Sequence, residues 1–111
     1  MTGRTVVLAV GGNALVPEGE AGSLSRQSER ARQLAAVLVD LLSDGWQVVV
    51  THGNGPQVGF IVRRGELVAA ARTAEGLPDL PLWLAVADSQ GGVGHLLALA
   101  LVSELRAHDR P

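Results

Sequence analysis

Apolar residues fall along this chain in two rhythms. Residues 4–10, RTVVLAV, form a nearly continuous apolar run rich in β-branched side chains, and residues 46–51, WQVVVT, form a second. Such runs suit strands covered on both faces of a parallel sheet, where neither side of the pleat meets water. Between them the period changes. From about Ser25 to Ser43 apolar residues recur at Ala31, Leu34, Leu38, Leu41 and Leu42, while Arg26, Arg30, Gln33 and Asp40 fall largely elsewhere around the turn, which predicts an amphipathic helix. Gly45 is its expected stop, because glycine enters the left-handed conformation without steric cost. A second helix is expected from near Pro56 to about Arg72, proline being favoured in a first helical turn. Gly59 and Gly65 each weaken it by about 1 kcal/mol relative to alanine.

The last predicted helix runs from about Leu82 to His108, with Leu96, Leu97, Ala100, Leu101 and Leu105 on its apolar side. Its segment 89–94, SQGGVG, is a poor helix former and marks either a close packing contact or a local break. Pro17 to Gly22 reads as a loop and Thr73 to Pro81 as a proline-containing linker. Strand, helix, strand, helix, helix is the opening of an open α/β sheet. A two-stranded sheet is marginal alone. The expectation is therefore one incomplete domain, completed by further chain or by a partner.

Composition narrows the function classes. The chain has 111 residues, 47% hydrophobic and 18% charged, with net charge −2, which fits a folded domain and not a disordered tail. No uninterrupted apolar run approaches the ~18 residues of a membrane span, and the first ten residues lack the features of a secretory signal. A cytoplasmic protein with no membrane and no nucleic-acid partner is expected. The absence of cysteine excludes disulfides, zinc-thiolate sites and thiol catalysis. All nine basic residues are arginines, so lysine chemistry is not available within the chain.

The candidate chemistry lies where the strands end. Val10-Gly11-Gly12-Asn13 and His52-Gly53-Asn54-Gly55-Pro56 each follow a predicted parallel strand, which places both at the carboxyl edge of one sheet, where open α/β folds bind ligands. Glycine removes the side chain that keeps an anion from the backbone, and successive N–H groups near a helix N-terminus form a positively polarised cradle for phosphate or carboxylate. The same glycines also serve simply to allow a tight strand exit. His52 reads as loop-orienting in preference to a general acid or base. Asn13 and Asn54 stand open between contacting a polar ligand and closing an Asx turn. His95 reads as a surface or packing residue, and Arg63 and Arg64, two turns from the loop, as solvated helix surface. Gly53-x-Gly55-x-x-x-Gly59 has the outline of a dinucleotide-binding turn, but Glu75 falls in the linker and not after a third strand.

Residues 6–15, VVLAVGGNAL, and 48–59, VVVTHGNGPQVG, together resemble the N-terminal part of carbamate kinases, members of the amino acid kinase family; SQGGVG resembles a stretch of the corresponding family helix. Ala9 stands where several sister kinases carry lysine, which favours the carbamate branch. Asp88 and His95 depart from the family pattern. The resemblance implies an amino acid kinase-like, three-layer αβα fold with an open parallel sheet, of which residues 1–111 are the N-terminal lobe. It implies reversible phosphoryl transfer between ATP and carbamate, giving ADP and carbamoyl phosphate, in arginine metabolism. On this picture Gly11, Gly12, Asn13, Gly53, Asn54 and Gly55 hold the substrate and the transferring phosphoryl group. Family lysines and the pocket for ATP or ADP with Mg2+ are expected in a later part of the chain, and no metal ligand or catalytic residue is assigned here. A homodimer through this lobe, and a companion C-terminal polypeptide, are the implied partners. These residues alone are expected to be inactive. The alternative is a non-catalytic module that keeps the fold and serves anion binding or oligomerisation.

Overall fold

A computed structural model describes residues 3–71 and 75–108. The chain opens with strand β1 (Thr5–Val10), a single helical turn α1 (Gly12–Leu15) and the helix α2 (Leu24–Ser43). Strand β2 (Gln47–His52) then leads into α3 (Gly55–Ala71), and α4 (Leu82–Ala107) follows the linker. The expected helix end at Arg72, the linker's start at Thr73 and the tail at 109–111 lie outside the described residues. α1 is an addition to the sequence reading, which treated Gly11-Gly12-Asn13 only as a turn.

β1 and β2 pair in parallel, with Thr5 opposite Gln47 and Val10 opposite His52. The expectation of cover on both faces does not hold among the described residues. Burial alternates along each strand: Val6, Leu8 and Val10, with Val48, Val50 and His52, lie on the shielded face, which α2 approaches across β2. The other face is bare, with Val7 63% and Val49 48% exposed. The second helical layer of a three-layer arrangement is thus not among these elements. Two apolar faces with only one covered explain why the runs read as two-sided strands.

The core sits between the helices. Leu15 and Val16 after the first turn, Ala31 and Ala35 of α2, and Val93 and Ala100 of α4 form one buried cluster, flanked by Leu34, Phe60, Leu96 and Leu97. Small residues on α2 and α4 let their axes approach closely, and packing against neighbours, more than propensity, holds such helices. α2 is bounded as its sequence demands. Ser23 caps its start, its hydroxyl accepting from the Arg26 N–H at 3.4 Å. Gly45, at φ 88°, ends it: its N–H donates to the Leu42 carbonyl and the Trp46 N–H to the Leu41 carbonyl, both at 3.1 Å. That pair of bonds is a Schellman cap. The loop before α2 is tethered by Arg26, which bonds Glu20 at 3.2 Å and Glu29 at 3.1 Å. The Glu20 hydrogen bond is the main cause that raises the guanidinium pKa above its ordinary value.

α4 runs unbroken through 89–94, so that segment is a packing contact and not a helix break. Ser89 and Val93 are buried there, while Gly91 and Gly92 face outward with open space around them. Gly65, costly for α3, has a packing reason: a β-carbon there would lie 3.1 Å from Leu80 Cδ2 of the linker. By length and composition alone α4 is long and apolar enough to cross a bilayer, although no uninterrupted apolar run in it reaches that length. It packs instead along α2 and α3, as the central helix of a folded domain does.

Candidate functional site

The two turns meet. Both leave the carboxyl ends of adjacent parallel strands, and the Gly53 N–H extends the ladder by donating to the Val10 carbonyl at 2.8 Å. Across the gap, a β-carbon on Gly12 would lie 2.6 Å from Gly55 N, 2.8 Å from Pro56 Cδ and 2.9 Å from Gln57 Oε1. No side chain fits that space. A β-carbon on Gly53 would lie 3.5 Å from Gly12 N and 3.9 Å from Gly11 Cα, an ordinary contact. Gly11 and Gly55 border open space.

Each predicted residue has a defined place in this junction. Gly12 is buried and opens α1; Gly11 and Asn13 are exposed beside it. Gly53 spends its N–H on the sheet, so what it offers a ligand is the lack of a side chain. The backbone donors of the second turn come from α3, a 17-residue helix whose first-turn N–H groups have no intrahelical acceptor. Pro56 costs nothing there, having no N–H to leave unpaired.

Asn54 resolves its two readings in a third way. Its carbonyl accepts from the Val58 N–H at 2.8 Å, while its side-chain Nδ2 donates to Ser89 Oγ of α4 at 3.0 Å. Ser89 in turn donates to the Val86 carbonyl at 2.7 Å. His52 is half-buried on the shielded face, its Nδ1 donating to the Gly53 carbonyl at 3.0 Å and its Nε2 lying 3.8 Å from where a β-carbon on Gly94 would stand. This geometry suits a residue that holds the turn. Arg63 is exposed and paired with Glu66 at 3.1 Å, away from the junction. His95 is exposed and borders a cleft of about 520 Å³ between α2, α3 and α4, which Arg64, Gln57 and Ser89 also line.

Sequence reasoning gave no role to Gln57 and Ser89. Both are buried polar side chains, 7% and 1% exposed, and each touches a turn residue. Gln57 Nε2 donates to the Gly12 carbonyl at 3.3 Å, while its Oε1 has no partner. The signal available in the sequence was the placement of polar residues where apolar ones were due: Gln57 in the first turn of α3, Ser89 on the buried stripe of α4. Among the described residues no group of three or more His, Asp or Glu side chains is placed to hold a metal ion.

No protein-family model matches the chain. Individual relatives do. Over 103 residues, 93% of this chain, it is 42% identical to the carbamate kinase-like protein YahI of Escherichia coli, and over 104 residues, 94% of the chain, 39% identical to the carbamate kinase of Pyrococcus furiosus. The structure of Giardia lamblia carbamate kinase bound to AMP-PNP superposes on 98% of the chain with a TM-score of 0.88 at 34% identity. The chain carries the N-terminal portion of the carbamate kinase fold. It spans about a third of the relatives' length, 32% of both the Escherichia coli and Pyrococcus proteins and 36% of the Giardia chain. Within that portion, the two glycine turns and the helix carrying Ser89 are parts of the carbamate kinase fold and not an unrelated α/β arrangement.

Proposed function

We propose that this chain supplies the substrate- and phosphoryl-binding turns of a carbamate kinase-like phosphotransferase, with carbamate and carbamoyl phosphate as its small-molecule substrates. One observation carries the reading: the turns after β1 and β2 are in direct contact, Gly12 against Gly55, at the carboxyl edge of a parallel sheet with the start of α3 beside them. Phosphoryl transfer is largely positioning and stabilisation of charge on the equatorial oxygens. Glycines at 11, 53 and 55 leave the backbone approachable, and the first turn of α3 presents donors to an anion. His52 holds the second turn through the Gly53 carbonyl.

ATP or ADP with Mg2+ would supply the phosphoryl donor or acceptor. The chain has no lysine, and its described residues hold no three-ligand metal cluster. Charge stabilisation of this kind is commonly worth several kcal/mol, and losing ~4 kcal/mol slows turnover about a thousandfold. Purified residues 1–111 are therefore expected to form no ATP from carbamoyl phosphate and ADP, yet to bind inorganic phosphate weakly at the turns. A polypeptide carrying the later part of a carbamate kinase is expected to restore turnover, in a homodimer associating through this lobe. Magnesium-dependent turnover by the chain alone would overturn the division of labour; absence of any phosphate-dependent shift at the glycine amides would overturn the cradle. The bare sheet face at Val7 and Val49 favours one second reading, a non-catalytic module that uses the fold for association. Persistent inactivity with the companion polypeptide, together with concentration-dependent assembly, supports that module instead.

A further inference from the structure

We infer that Ser89 and Gln57 are positioning residues that set the spacing of the two glycine turns, an inference that rests on the turns being the anion site. The two strands fix where the turns begin, but a strand end does not fix the loop beyond it. Two side-chain bonds of long sequence separation do so here. Gln57, in the first turn of α3, reaches back 45 residues to the Gly12 carbonyl, tying the second turn to the first. Ser89, on α4, accepts from Asn54 across 35 residues, tying the second turn to the helix layer.

The Ser89 tie is directional. Its hydroxyl proton is committed to the Val86 carbonyl at 2.7 Å, so the oxygen lone pairs face Asn54 and the Asn54 amide is held in one orientation. Because Ser89 is 1% exposed, no water replaces it at low cost. Gln57 is likewise buried, and its side-chain oxygen lies against Gly12, where any shift of the first turn changes the contact. Neither side chain needs to touch a ligand. Each fixes backbone that does.

The test is a double-mutant cycle in the 111-residue chain: Ser89→Ala, Asn54→Ala and the pair, with Gln57→Leu as a separate arm. Alanine is a stronger helix former than serine, and leucine is close to glutamine in size, so the variants keep the fold. Amide hydrogen exchange is read at the bonded amides of the two turns, Ala14, Val16, Gly53 and Val58, and inorganic phosphate is titrated well below the unfolding temperature. Ser89→Ala is expected to speed exchange at Val58, whose N–H donates to the Asn54 carbonyl, and to weaken phosphate binding about fivefold, as one lost hydrogen bond does. In the Asn54→Ala background the same change is expected to have less than about a twofold effect, because the partner is already gone. Gln57→Leu is expected to speed exchange at Ala14 and Val16, whose N–H groups donate to the Gly11 and Gly12 carbonyls. Additive effects of Ser89→Ala and Asn54→Ala, or unchanged exchange in both turns, overturn the inference. Absence of phosphate binding in the parent chain overturns the anion-site reading alone, since the exchange cycle still decides the ties.

Discussion

The two glycine turns leave neighbouring strands at the same sheet edge, yet they are held by different physics. The first is clamped chiefly by backbone contact, with one buried side-chain bond, from Gln57 to the Gly12 carbonyl. Gly12 packs against Gly55 N, and the turn runs directly into Leu15 and Val16 of the core. The second shares the Gly12 contact and has its own backbone bond to Val10, but its loop is oriented by polar side chains, His52 donating to the Gly53 carbonyl and Asn54 to Ser89, and it leads into a helix of 17 residues, not four. Backbone clamping fixes a position rigidly and tolerates no added atom. Side-chain ties cost less to cut and leave room at the surface. The difference assigns structure to the first turn and adaptability to the second.

The sharpest way to break this comparison is Gly12→Ala. Its methyl would sit 2.6 Å from a backbone nitrogen that cannot rotate away, so the turns must separate. The expected cost is about 4 kcal/mol, above the usual ~1–3 kcal/mol of overpacking because backbone and not a flexible side chain has to move. Thermal or denaturant unfolding checks it, and a loss below about 1 kcal/mol would show that the first turn yields as easily as the second. Next in size is Leu15→Ala, expected to cost about 3 kcal/mol because Leu15 is 1% exposed and anchors α1 in the core. It should also speed exchange at Val16, whose N–H donates to the Gly12 carbonyl, and leave Val58 nearly unchanged. Equal effects on both turns would mean that they share one anchor.

How far the sequence carried this picture depends on the range of the interaction that fixes each feature. Local signals were legible: Gly45 as the end of α2, the proline at the start of α3, and two apolar runs as adjacent parallel strands. The SQGGVG segment was legible as one of two things, and only the burial of Ser89 and Val93 decides between them. Long-range polar bonds were not legible. Nothing in the periodicity around Asn54 points to Ser89, nor around Gln57 to Gly12, because a hydrogen bond between distant elements leaves no local pattern. The one-sided cover of the sheet was hidden for a related reason. Val7 and Val49 are as apolar as Val6 and Val48, and side-chain chemistry does not say which face has found its partner.

A smaller effect is expected at the second turn. Asn54→Ala removes the bond to Ser89 but leaves the Asn54 carbonyl free to accept from Val58, so the helix start survives. About 1 kcal/mol of stability is expected to be lost, the net worth of one partly buried hydrogen bond. Denaturant unfolding measures it; a loss near that of Gly12→Ala would erase the distinction between clamped and tied turns.

The smallest stability change, and the one that best separates folding from binding, is expected for Gly53→Ala. Gly53 does not require the left-handed region, since the glycines at positive φ are 3, 19, 22, 45 and 76 among the described residues. Its N–H keeps its bond to Val10 whatever the side chain, and the new methyl meets Gly12 N only at 3.5 Å. Alanine also lowers the entropy of the unfolded chain, which offsets any small crowding. The midpoint of unfolding is therefore expected to move by no more than the equivalent of about 0.5 kcal/mol. Binding follows a different account, because that methyl stands over Gly12 N and Gly11 Cα, on the surface that the proposed cradle offers an anion. Phosphate affinity is expected to fall while stability holds. A variant that binds phosphate as the parent does would move the ligand away from Gly53, and one that unfolds several kcal/mol more easily would show that the second turn is clamped after all.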